Sequence, residues 1–156
     1  MTISEQINTL IKLDETFIAL RITDQDTEEK EILSNMPDNY KEIYYSNHYN
    51  EIDDTFDFTE ANSEIINYPN SEGNYSSDYI RIMESHGYYN LASFTVKGTK
   101  KLSCIVTIPR KPHDPQNAFN MIKQDLVNDI EKIIANLSKI ATVSDFNFST
   151  ITNVNQ

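Results

Sequence analysis

The apolar positions near the start of the chain follow a helical spacing and then a strand-like one. Four of them recur with a period of about 3.6 residues and predict a helix over residues 3–13: Ile3, Ile7, Leu10 and Ile11. Residues 17–24 (FIALRITD) alternate apolar and polar side chains, as a half-buried strand does. After a polar turn, residues 30–35 predict a second short strand.

The middle of the chain predicts two helices separated by a polar stretch. Pro37 and Asp38 suit the first turn of one helix, because proline lacks the amide that a first turn leaves unpaired and aspartate complements the helix dipole. Residues 54–76 are polar and rich in Asn and Ser, and we predict that they are irregular. Residues 77–87 then predict a helix that ends at Gly87.

The last third of the chain predicts a β-hairpin followed by a long helix. Residues 89–97 and 101–109 are its two strands, joined by a KGTK turn. One apolar stripe predicts a helix over about residues 116–140: Phe119, Ile122, Leu126, Ile130, Ile133 and Leu137. This stripe either packs against the core or forms, in part, a dimer seam. We assign no firm structure to residues 142–156.

The order of the elements favours an α+β domain. Helix, strand, strand, helix, helix, strand, strand and long helix suit an antiparallel sheet with helices on one or both faces. A length of 156 residues favours one domain. We place it at residues 1–141, with a polar tail or the start of an interdomain linker at residues 142–156.

Charge and composition exclude several classes of function. With a net charge of −11 the chain has an excess of carboxylates, whereas phosphate backbones require an excess of Lys and Arg, so we expect no nucleic-acid binding by this chain alone. The single cysteine, Cys104, lies in an apolar run and predicts a small core residue. The sequence shows no signal peptide and no apolar run that could span a membrane, so we expect a cytoplasmic protein.

Motifs for catalysis and for metal binding are missing from the sequence. His48, His86 and His113 lie far apart, and no HxxxH or CxxC pair is present. Asp53 and Asp54 are adjacent, so in a strand they would point to opposite faces and would not form the facing pair of a hydrolase. We therefore expect no metal, no cofactor and no enzymatic activity.

The candidate chemistry is a cluster of aromatic residues that ends on a carboxylate. Residues 34–56 contain five Tyr or Phe residues, and Asp53 lies among them. A carboxylate only accepts hydrogen bonds, so an aspartate at the edge of an aromatic cavity selects a ligand that donates an N–H. The alternative is that these tyrosines pack the core with their hydroxyls at its rim.

At this stretch the sequence resembles the autoinducer-binding domain of LuxR-type quorum-sensing regulators. Asn35-Met36-Pro37 stands for the family's N-Y-P, and the spacing of the next aromatic and acidic positions is kept without a gap. The matching positions are Tyr40 for a Trp, Tyr44 and Tyr49 for two tyrosines, Asp53 for the Asp, Thr55 for a nearby polar residue and Tyr68 for a second Trp. The likeness extends over about residues 5–140.

The resemblance implies a fold and a set of ligand contacts. The fold is an α-β-α sandwich of the autoinducer-binding, GAF/PAS-like kind, with a central antiparallel sheet and a buried pocket that binds an N-acyl homoserine lactone. Asp53 would accept the ligand's amide N–H, and Tyr44 would bond its acyl carbonyl. Four further residues would contact the head group or the first acyl atoms: Tyr40 at the lactone carbonyl, Tyr68 over the lactone ring, Thr55 and Thr107.

Several departures from the family pattern bear on the ligand and on the partners. Both tryptophans are tyrosines here, Asp54 replaces a proline and Met36 replaces a tyrosine. A different head group, on another amide- or phenol-bearing signal, is therefore compatible with the sequence. The family carries a DNA-binding helix-turn-helix after this domain, which these residues do not include. We expect a homodimer, or a heterodimer with a full-length regulator.

Two other functions remain open at the level of sequence. The first is a stand-alone acidic interaction protein, such as an anti-activator, immunity or anti-defence protein, that binds a protein partner and no ligand. The second is an enzyme on a related sandwich scaffold, which would require a histidine within hydrogen-bond reach of an aspartate in a cleft.

Overall fold

The computed structural model describes residues 1–62, 64–72 and 77–153. The strands in these ranges are β1 (Phe17–Thr23), β2 (Lys30–Ser34), β3 (Ile66–Asn67), β4 (Tyr89–Lys97) and β5 (Lys101–Ile108). The helices are α1 (Ile3–Leu10), α2 (Asp38–Ser46), α3 (Thr55–Ala61), α4 (Asp78–Ser85), α5 (Pro115–Leu137) and α6 (Ser149–Thr152). Single 3₁₀ turns lie at Tyr49–Glu51 and Val143–Asp145.

The five strands form one antiparallel sheet in the order β2-β1-β5-β4-β3. The predicted hairpin is confirmed, because β4 and β5 pair from Tyr89 opposite Ile108 to Lys97 opposite Lys101. A bulge between Asn90 and Ala92 shifts the register near the start of β4. Since side chains alternate along each strand, the sheet has two chemically different faces.

One face of the sheet carries the main hydrophobic core under α5. The stripe predicted from the sequence packs here, with Phe119, Leu126, Ile130 and Ile133 fully buried. The ring of Phe119 meets that of Phe94 on β4 at 5.9 Å between centroids. Cys104 is also confirmed as a core residue, and complete burial raises the pKa of its thiol.

The opposite face of the sheet is more polar and lies under α2, α3 and α4. One row across it runs Phe17, Thr107 and Asn90; the next runs Ala19, Ile105, Ser93 and Asn67. Helices therefore cover both faces of the sheet, and the predicted α+β sandwich with a central antiparallel sheet is confirmed.

The prediction that residues 54–76 are irregular is wrong for part of this stretch. Helix α3 and the short strand β3 lie within it, while residues 63 and 73–76 are outside the described residues. Helix α3 (TFDFTEA) has little helical periodicity of its own. Ion pairs from Arg21 to Asp57 and Glu60 hold it against the sheet. Tertiary contacts thus stabilise a helix that local propensity does not favour.

The segment after residue 141 packs against the core, although we assigned it no structure. Phe146, Phe148 and Ile151 are all buried. Gly98, in the turn of the hairpin, forms a β-bridge with Phe146. A Cβ atom built on Gly98 would lie 2.0 Å from the carbonyl oxygen of Asp145, so this contact requires glycine. Residues 154–156 lie outside the described residues.

Helix α1 ends earlier than the prediction of 3–13. Beyond its last residue, the carboxylate of Asp129 on α5 accepts hydrogen bonds from the backbone amides of Lys12 and Leu13, at 3.0 and 3.2 Å. Asp129 is 1% exposed, so this carboxylate ties the first helix to the last long one inside the core. In the part of the chain that the structure describes, we find no helix of the length and apolarity that crossing a bilayer requires.

Candidate ligand-binding cavity

A cavity of about 550 Å³ lies between the polar face of the sheet and helices α2, α3 and α4. This volume falls within the range of small-molecule sites, roughly 300–1,000 Å³. Phe17, Ala19, Ile105 and Thr107 form its floor on the sheet. Its walls include Tyr44, Asp53, Thr55, Tyr79 and Met83. Apolar surface predominates in the lining, and polar side chains from the sheet and from the helices also border the cavity.

One side of the cavity reaches the surface. Ile3, Ile32 and Tyr45 line it and are 42%, 61% and 54% exposed. They come from α1, β2 and α2, and together we call them the mouth. Two polar residues that are also exposed, Lys41 and Asn50, line the cavity as well. We expected a buried pocket from the resemblance; the structure shows one that is enclosed by the sheet and helices but opens to the surface at this mouth.

Asp53 lies in the cavity wall and is held by three hydrogen bonds. Its Oδ1 accepts the backbone N–H and the hydroxyl of Thr55, at 3.1 and 2.6 Å. Its Oδ2 accepts the hydroxyl of Tyr44 at 2.7 Å. The 3₁₀ turn at Tyr49–Glu51 brings the carboxylate to the start of α3, where it accepts the first backbone amide of that helix.

The tyrosine cluster is built by α2 and α4 together. The hydroxyls of Tyr40 and Tyr79 are 2.8 Å apart, and the rings of Tyr44 and Tyr79 meet edge to face at 5.7 Å. All three side chains are less than 10% exposed. The cluster forms a rigid wall of the cavity, with its hydroxyls bonded to each other and to Asp53.

Burial keeps these tyrosines protonated. Desolvation, opposed by the hydrogen bond from Tyr79 and reinforced by the charge of Asp53, raises the pKa of Tyr40 to about 12. Burial, and then the charge of Asp53, raises the pKa of Tyr44 and that of Tyr79 well above the ordinary value. All three hydroxyls therefore stay neutral well above neutral pH.

This difference in pKa makes the folded protein sensitive to alkali. The folded pKa values of Tyr40, Tyr44 and Tyr79 exceed the unfolded value of about 10, so their contribution to stability is complete below that pH and is lost as the pH rises above it. We expect an alkaline titration, followed by phenolate absorbance and circular dichroism, to show these three residues ionising only as the protein unfolds. Tyr79→Phe should remove one phenolate from that late phase. Ionisation of all nine tyrosines in a chain that is still folded would contradict the prediction.

The structure brings together four of the six residues predicted for the site. Tyr44, Asp53, Thr55 and Thr107 line the cavity. Tyr40 is not among the described residues that line it, and lies one layer behind, against Tyr44 and Tyr79.

Tyr68 lies elsewhere in the structure. It borders a separate cavity of about 200 Å³, with its ring 6.5 Å from that of Phe119. In this structure Tyr68 is therefore not positioned to stack on the ring of a ligand in the main cavity, as the resemblance implied. The hydroxyl of Tyr44 points to Asp53, so its contact with a ligand carbonyl also stays a prediction.

Sequence reasoning missed Tyr79, Asn90 and Arg21, which also line the cavity. Arg21 follows from strand alternation, since it lies two and four residues beyond Ala19 and Phe17 on the same face. Tyr79 and Asn90 carry no such signal, because they reach the cavity only through the packing of α4 and β4. Within the described ranges, no group of three or more His, Cys, Asp or Glu side chains is arranged to hold a metal ion.

Comparisons with known proteins show a similarity of fold alone. No family model and no curated protein matches the sequence. A crystal structure of the N-acylhomoserine lactone dependent LuxR family transcription factor CepR2 from Burkholderia cenocepacia matches with a TM-score of 0.53 and 13% identity, over 86% of this chain and 80% of that chain. The two proteins share a fold, which is the fold that the resemblance in sequence implies.

Proposed function

We propose that this chain is the small-molecule sensor domain of a LuxR-type transcriptional regulator. It binds an acyl homoserine lactone, or a related amide-bearing signal, in the cavity under α2 and α3. It works in the cytoplasm without catalysis, as a homodimer or paired with a full-length regulator. The proposal rests chiefly on one observation: Asp53 stands in the wall of a cavity of suitable size, on a fold shared with a lactone-dependent regulator.

The bonding of Asp53 supports this role. Its three donors, two from Thr55 and one from Tyr44, are neutral groups, so none of them is a cation paired with the carboxylate. A carboxylate has about four positions for hydrogen bonds, which leaves room for one ligand N–H. Such a charge-assisted bond contributes roughly 1.5–3 kcal/mol. The wall is thus preorganised to accept one amide hydrogen.

The rest of the cavity suits an acyl chain. Phe17, Ala19 and Ile105 give the floor of the cavity an apolar surface on which an acyl chain can lie. Each methylene that leaves water for such a surface contributes about 0.8 kcal/mol. A protein that only packs tyrosines or only binds a protein partner gains nothing from a cavity of about 550 Å³, whose walls lose the contacts that a filled core would make.

The proposal is tested by ligand-induced stabilisation. At a concentration of 100 times Kd, a ligand adds about 2.7 kcal/mol to the free energy of unfolding. For a domain of this size we expect the melting temperature to rise by about 5–10 °C. The panel contains acyl homoserine lactones of several chain lengths, with free fatty acids of equal length as controls that lack the amide.

Native mass spectrometry of the same samples should show one ligand mass per subunit, and it also reports the number of subunits. If no lactone and no extract of the native host shifts the melting temperature or adds a ligand mass, the sensor function is refuted.

A further inference from the structure

Exposed apolar side chains are concentrated where the main cavity opens. Among the seven large apolar side chains that are exposed in the described residues, three border this one cavity: Ile3, Ile32 and Tyr45. The other four are not among its lining residues: Met1, Ile52, Ile65 and Met121. Single exposed apolar side chains are normal on a protein surface, whereas a group of them around the opening of a cavity marks a surface that a ligand or a partner covers.

The apolar floor of the cavity reaches this opening across the sheet. Ile105 on β5 pairs with Ala19 on β1, and Ile32 lies on β2, the edge strand that pairs with β1. Ile32 is two residues along β2 from the partner of Ala19, so it is the diagonal neighbour of Ala19 on the same face. Neighbouring strands are about 4.8 Å apart, so the distance from β5 to the edge is roughly 10 Å. An acyl chain that lies on this floor can therefore continue over Ile32 to the surface.

We propose that the signal is a long-chain amide whose acyl tail runs out of the cavity and covers Ile3, Ile32 and Tyr45. This inference rests on the proposed function, because it concerns the same ligand. The amide N–H of the signal lies at Asp53, the first part of its chain lies on the floor, and the last part covers the mouth. The opening therefore lets long chains bind. A closed cavity, by contrast, rejects a chain that exceeds its length, since a filled interior has no room for further methylenes.

A series of ligands that differ only in chain length tests this role. The probes are saturated N-acyl homoserine lactones with chains of about 6 to about 16 carbons, so that each step adds apolar CH₂ groups. Isothermal titration calorimetry, below the concentrations at which the ligands aggregate, measures their affinities. Each fully buried methylene should raise the affinity roughly fourfold, and each one half-covered on the mouth roughly twofold. We expect the affinity to keep rising through the longest chains, with a smaller increment once the cavity is filled.

A pair of matched variants then assigns the increment to the mouth. Ile32→Thr keeps the β-branched shape that suits a strand but replaces the ethyl group by a hydroxyl. The affinity for the longest lactone should fall about two- to fourfold, and that for the shortest, which does not reach the mouth, should not change. The control is Ile65→Thr, the same change at a position that is 48% exposed and does not line the cavity. It should leave both affinities intact.

The outcomes separate this inference from the function on which it rests. A maximum of affinity at a medium chain length, with weaker binding of every longer lactone, overturns the role of the mouth and leaves the sensor function standing. An unchanged affinity of Ile32→Thr for the longest lactone also overturns it. If no lactone of any length binds, the role of the mouth fails, and the host extract in the stabilisation assay then decides the sensor function.

Discussion

Asp53→Ala is expected to remove between about half and almost all of the stabilisation that a bound signal gives. The variant loses the acceptor of the ligand N–H, which contributes roughly 1.5–3 kcal/mol and so weakens binding roughly 10- to 100-fold. After a hundredfold loss, a ligand at 100 times the wild-type Kd is present only at the Kd of the variant. The added stability then falls from about 2.7 to about 0.4 kcal/mol. A thermal melt with and without ligand measures the difference.

A matched control separates the carboxylate from a general effect of charge. Glu51→Gln removes one negative charge at an exposed position two residues earlier, and should leave the ligand-dependent rise intact. Asp53→Ala also leaves Thr55 and Tyr44 without their acceptor, so the ligand-free variant will melt somewhat earlier. The rise is therefore compared with each variant's own ligand-free value. An undiminished rise in Asp53→Ala would refute the assigned role.

Gly98→Ala is expected to destabilise the protein by about 3 kcal/mol or more, at the upper end of the costs of overpacking. The new Cβ would lie 2.0 Å from the carbonyl oxygen of Asp145 and 3.1 Å from Cα of Phe146. Both atoms belong to the backbone, so neither moves aside as a side chain does. The segment at residues 143–152 must shift, and Phe146, Phe148 and Ile151 then lose part of their burial. Urea unfolding measures the loss.

Gly87→Ala provides the comparison for this effect. Gly87 has a φ of +85°, and a Cβ there meets nothing within 4 Å. Its replacement therefore costs only the backbone strain of a left-handed residue, about 1–2 kcal/mol. If Gly98→Ala proves milder than Gly87→Ala, then the close approach of residues 143–152 to the hairpin is not a feature of the folded protein in solution.

The elements that the sequence predicts well are those that carry their own pattern. Helix α5 has an apolar stripe along its whole length, and the hairpin of β4 and β5 has two alternating runs around a glycine turn. Helix α3 and the segment after residue 141 lack such a pattern. Ion pairs stabilise helix α3. The segment after residue 141 is held by the burial of three apolar side chains that follow no regular spacing. Both sources of stability exist only after the rest of the chain has folded.

The candidate site divides in the same way. Asp53, Thr55 and Tyr44 lie within a short stretch, so their spacing was sufficient to group them. Tyr79 and Asn90 join them from α4 and β4, and the contacts arise from the packing of distant elements. Tyr68 is a case in which spacing misled the prediction. It matches a family position in the sequence, but in the structure it lies beside Phe119 and outside the main cavity.

The mouth of the cavity has a consequence for the rates at which a ligand would bind and dissociate. A fully closed cavity exchanges its ligand only when the protein opens locally. Its occupancy therefore lags behind the ligand concentration. Under the proposed function, a site bordered by exposed Ile3, Ile32 and Tyr45 would admit its ligand from the surface without such an opening. Binding and dissociation would then not wait for local unfolding, so the bound fraction would follow the surrounding ligand concentration in both directions.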